Sequence, residues 1–207
     1  METEKNVAIE AMTNAQLIDG TATVSELFLK RVLEHGEKVA LREKDFGLWN
    51  EYSWSDWGDF AKWVGLGLAS LGFSRGDVCS IASEVNKEWM FADLGVITMG
   101  GVTNGVYPTD APNQVEYLIT DSGTRFYFAE DEEQLDKVLE VRERTPTLEK
   151  IIIFDMEGLR NFVDPHCLSF TKLIELGQQY ELDHPRLWSG EVAKADPDDL
   201  MILTYTS

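Results

Sequence analysis

Hydrophobic and polar positions along the chain switch between two periods. Val24, Leu27, Phe28 and Val32 recur at helical spacing, which predicts a helix between Thr23 and Gly36. Glu26, three residues beyond Thr23, fits a capping box, and Gly36 fits a stop. Short strands are expected over 39–42 and 50–54, joined through Gly47. A second helix, capped by Ser55, is expected to run through Leu71 and end at Gly72. Beyond it, apolar strands at 77–82, 102–107, 125–129 and 150–154 alternate with helical stretches at 86–99, 112–120 and 132–144. A further helix is expected over 170–180. Short apolar strands separated by such helices imply βαβ units, hence an α/β fold with a mainly parallel sheet and flanking helices. Residues 155–169 read as a loop, and 181–199 as a polar, proline-containing connection.

The last segment, Leu200-Met-Ile-Leu-Thr-Tyr-Thr-Ser207, has the pattern of a central strand ending in hydroxyl residues. In an α/β sheet the loop after such a strand is where ligands bind, and a helix N-terminus normally follows to face them. Two readings stay open at this point. Either the sequence is cut short at the mouth of a buried strand, or a final strand simply ends in the sheet.

Composition narrows the classes. The chain has 207 residues, of which 43% are hydrophobic and 11% aromatic, enough apolar material for a buried core. Eighteen Lys and Arg against 37 Asp and Glu leave a formal charge of −19. Such a surface repels phosphate backbones and anionic lipid heads, so neither nucleic acid nor a membrane surface is an expected partner. A single small polyanion is compatible with it, because backbone N–H groups and a bound cation act locally. The start is acidic and polar without a basic–apolar leader, and Asp93, Asn104 and several glycines interrupt the longest apolar run. A bilayer span needs about 20 apolar residues, so the expectation is a soluble, cytoplasmic protein with no transmembrane segment. Residues 1–22 read as a lead-in with little order. Cys79 and Cys167 match no metal or redox spacing and read as small buried hydrophobes in a reduced compartment.

Several tempting motifs dissolve into scaffold. Gly65-Leu-Gly67 has the glycines of a dinucleotide loop, but a helical stretch precedes it where that fingerprint requires a strand, so close helix packing explains it. His35, His166 and His184 are scattered and lack a second ligand at metal spacing. Asp196-Pro-Asp-Asp199 reads as the cap of a turn rather than a hard-cation site, and Glu130–Glu133 as acid at a helix start. No nucleophile elbow or Cys/His pairing supports a hydrolase or thiol enzyme.

Two blocks carry more. The first holds Asn86, Glu88 and Trp89, then Leu94 and Gly95, Gly101, Tyr107-Pro108-Thr109, Tyr117 and Asp121-Ser122, with Leu71-Gly-Phe-Ser-Arg-Gly-Asp77 upstream. The second is Tyr205-Thr206-Ser207. Together they resemble the AMP-forming acyl-CoA synthetases of the adenylate-forming superfamily, in particular the long-chain fatty-acid branch. Val102-Thr-Asn-Gly-Val106 departs from the commoner aliphatic-proline version ahead of Tyr-Pro-Thr, which blurs the subfamily.

The resemblance implies a two-step ligase that joins a carboxylate to AMP and then to CoA. Its cofactor and co-substrates would be Mg²⁺, ATP and CoA, and its substrate a fatty acid or other carboxylate; a homodimer is compatible. Thr206 and Ser207 match the opening of the family's ATP phosphate loop, with Thr206 also the candidate Mg²⁺ contact, and Tyr205 is expected to pack at the strand end. By the same resemblance, residues 1–207 are the N-terminal part of the large AMP-binding domain. The lid domain and the later nucleotide motifs would be missing, no catalytic residue would lie in the chain, and the chain would be inactive alone. Alternatives are another adenylate-forming ligase (aryl-CoA ligase, luciferase-like enzyme or adenylation domain) or a non-catalytic acidic α/β interaction module.

Overall fold

The computed structural model describes residues 18–206; most of the expected lead-in, 1–17, and Ser207 lie outside the described residues. Helix α1 (Val24–His35) is followed by a hairpin of β1 (Val39–Asp45) and β2 (Leu48–Ser53), then by helix α2 (Trp54–Ser70). The βαβ pattern follows: β3 (Val78–Ala82), α3 (Lys87–Thr98), β4 (Val102–Val106), α4 (Pro112–Ser122), β5 (Phe126–Ala129), α5 (Glu132–Val141) and β6 (Lys150–Ile153). Strand β7 (Cys167–Ser169), helices α6 (Phe170–Asp183) and α7 (Leu187–Val192), and strand β8 (Ile202–Leu203) complete the chain.

Six strands form one sheet in the order β7-β6-β5-β3-β4-β8, and every neighbouring pair is parallel. This bears out the α/β expectation. Strand alternation sends Cys79, Ile81, Phe126, Phe128 and Ile152 to one face, where they pack with α2, α3 and α6. Ala82, Val106, Tyr127, Ala129, Ile151 and Ile153 face the other way, toward α4 and α5. Covered on both faces, the central strands are buried apart from the first residues of β3 and β6, Val78 and Lys150, which is why they read as largely apolar runs.

Glycines set how closely the helices cross. A Cβ on Gly65 would strike Met99 and the Gly95 carbonyl, and one on Gly95 would strike Val64, so α2 and α3 meet backbone to backbone. A Cβ on Gly177 would run into the Trp63 backbone, and one on Gly67 into Leu173, which fixes α6 against α2. Gly65 and Gly67 therefore pack helices, as their context predicted.

Several boundaries differ from expectation. Ser53, rather than Ser55, caps α2: its Oγ accepts the Asp56 N–H at 3.1 Å while Asp56 accepts the Ser53 N–H at 2.8 Å. Only Ser53 has an acid three residues on. Thr23 caps α1 as expected, but Glu26 reaches one residue further back and accepts the Ala22 N–H. The irregular 155–169 segment ends in β7, three half-buried residues on the sheet margin, and the polar 181–199 segment contains α7. Residues 200–205 do not form a central strand. Only Ile202 and Leu203 join the ladder, opposite Thr103 and Asn104 of β4, and they lie at the edge of the described sheet with Ile202 46% exposed.

Candidate functional site

In a parallel sheet all strands end on the same side, and ligands bind where successive connections leave on opposite faces. Here the turn is between β3 and β4. The chain leaves β3 into α3 on one face and leaves β4 into α4 on the other. Their carboxyl ends carry Ser83-Glu84-Val85-Asn86 and Tyr107-Pro108-Thr109, and β8 lies beside β4, so Thr204-Tyr205-Thr206 emerge at the same margin.

Each loop is held by its own polar contacts. Asn86 caps α3, accepting the Trp89 N–H at 2.8 Å, and its amide donates to Ser83 Oγ at 3.0 Å. The Glu130 carboxylate, at the end of β5, accepts the Glu84 N–H at 2.8 Å. Asp110 accepts the Tyr107 N–H, and Lys137 Nζ donates to the Pro108 carbonyl at 2.6 Å, so the Tyr-Pro-Thr turn is tied to α5. Tyr107 remains exposed above the strand ends.

Tyr205 joins the two sequence blocks. Its hydroxyl donates to Asp121 Oδ2 at 2.8 Å, and its ring meets Tyr117 edge to face at 6.1 Å. The expectation that Tyr205 packs at the strand end therefore holds, with Tyr117 and Asp121 as the receiving surface. Burial, reinforced by the Asp121 carboxylate, pushes the Tyr205 phenol up to about 12. Ser122, the next residue, hydrogen-bonds Thr124, which contacts Ser80, which in turn receives the Asn104 amide. This buried chain of hydroxyls beneath the mouth was not visible in the sequence, because its members are polar residues inside apolar strands.

The remaining motif residues are scaffold. Glu88 pairs with Lys87, itself bound to Glu43, and Leu94 is buried against α1 and α2. Gly101 lies so close to Phe73 and Val96 that a Cβ would strike both. The three histidines do not converge. His35 ends α1 against Trp54, His166 sits by the Glu149 carbonyl, and His184 stacks near Tyr180. The carboxylates of 196–199 serve their own turn and Arg75, with Asp199 accepting both the Asp196 N–H and the guanidinium. Cys79 is buried and Cys167 half-buried, and both are free. Burial pushes the Cys167 thiol up to about 11, away from nucleophilic chemistry. Among the described residues no helix is long and apolar enough to cross a membrane.

Thr206 is exposed at the mouth and makes no side-chain hydrogen bond among the described residues. A free hydroxyl on a strand end suits a phosphate oxygen or a hard cation, both of which prefer oxygen and N–H partners. Two lysines that lie by these loops are engaged: Lys87 with Glu43 and Glu88, and Lys137 with Glu133.

A family model described as AMP-binding enzyme matches residues 28–207. The chain belongs to the AMP-binding enzyme family. It is 26% identical over 185 residues to the long-chain-fatty-acid–CoA ligase ACSBG1 of Rattus norvegicus, covering 89% of this chain and 25% of that protein. This member thus spans about a quarter of the length of the curated relatives it matches. Among solved structures it resembles the N-terminal domain of FACL13 from Mycobacterium tuberculosis, with a TM-score of 0.69 at 15% identity over 90% of this chain and 42% of that one. It also resembles the anthranilate CoA ligase AuaEII in complex with anthranoyl-AMP, at a TM-score of 0.63 and 22% identity over 73% of this chain and 26% of that one. Those likenesses concern the fold. The family match separates the chain from an unrelated α/β interaction module.

Proposed function

We propose that the protein carrying this chain is an AMP-forming fatty-acid–CoA ligase, and that residues 1–207 are the N-terminal part of its large AMP-binding domain. The observation that carries the acid class is the 26% identity to a long-chain-fatty-acid–CoA ligase over nine-tenths of the chain. In the first step a carboxylate oxygen attacks the α-phosphorus of ATP, forming acyl-AMP and releasing pyrophosphate. In the second the CoA thiol, giving up its proton, attacks the acyl carbon and AMP leaves. The detour is needed because carboxylate oxygen is a poor leaving group and AMP a good one.

What this chain contributes is position. The Thr206 hydroxyl, with Ser207 beside it, would meet the ATP phosphates at the strand end, while the Tyr205–Asp121 bond fixes where that segment starts. Thr206 is also the residue to contact Mg²⁺, which supplies phosphate charge neutralisation when bound. Lys87 and Lys137, which lie by these loops, are already paired with carboxylates, so backbone N–H groups and the metal are the partners left for the phosphates near Thr206.

The test is ATP–pyrophosphate exchange. A protein extending through the remaining nucleotide motifs is expected to exchange in the presence of long-chain fatty acids, and Thr206→Val is expected to lower the rate roughly tenfold or more. Exchange that responds to aryl acids and not to fatty acids would overturn the acid class. The 207-residue chain alone is expected to give no exchange above a heat-denatured control.

A further inference from the structure

We draw no further inference here: the strongest candidate, the exposed apolar tip of the β1–β2 hairpin formed by Phe46, Leu48 and Trp49, carries none because nothing in the structure shows what covers it.

Discussion

Strand β6 and segment 200–205 are equally apolar in sequence and meet opposite fates. Ile151, Ile152 and Ile153 are buried between β5 and β7 with helices on both faces, whereas Ile202 and Leu203 touch one neighbour and leave their outer side open. The difference lies in the neighbours and not in the residues. A central strand is held by two ladders and two packed faces; β8 is held by one short ladder and by side-chain ties. Arg75 binds Asp199 just before it, and Tyr205 binds Asp121 just after it.

Substitutions can stretch or erase that contrast. The largest effect is expected where the interior has no slack. Gly177→Ala forces a methyl into the Trp63 backbone and should cost about 3 kcal/mol or more in denaturant unfolding, if the chain folds at all. A cost below about 1 kcal/mol would mean that α2 and α6 are not packed as closely as described. Phe128→Ala, in the buried core beside Ile152, should cost about 3–5 kcal/mol, and Ile202→Ala on the edge under about 1 kcal/mol. Equal losses would erase the contrast.

Tyr205→Phe comes next, at about 1 kcal/mol for the bond to Asp121. It also has a pH signature. The folded phenol holds its proton up to about 12 against an ordinary value of 10, so its stabilising contribution is whole below pH 10 and fades as pH rises toward 12. The stability difference between parent and Tyr205→Phe should therefore be flat through neutral pH and shrink between those limits. A difference that grows with pH would contradict the assignment. Arg75→Met is expected to have the smallest effect, under about 1 kcal/mol, because the Arg75–Asp199 pair is partly exposed. Its loss should shrink further in high salt.

Much of the fold was legible because covered strands and amphipathic helices have different periods. The strands β3 to β6 and the helices between them fall within a few residues of their expected bounds, and Asn86 caps α3 as its position implied. What escaped was short or context-dependent. β7 has three half-buried residues and α7 six, too few to show a period. The edge position of β8 could not be seen, since an apolar run records burial propensity and says nothing of how many neighbours a strand has. The site divides similarly. Tyr107, Tyr117, Asp121, Tyr205 and Thr206 stood out by resemblance to a family. The contact that joins them spans 84 residues, and the Thr124–Ser80–Asn104 chain carries no local signal.

Hydrogen exchange measured peptide by peptide is the most direct test of the central claim, that the segment leading to Thr206 is latched to the sheet by Tyr205 rather than woven into it. Amides of β3, β5 and β6 are expected to exchange only through global unfolding, and those over 201–206 much sooner. In Tyr205→Phe the 201–206 region should exchange roughly five- to tenfold faster while β3, β5 and β6 keep the rates their global stability dictates. Protection over 201–206 equal to that of β5, or unaffected by Tyr205→Phe, would contradict the account.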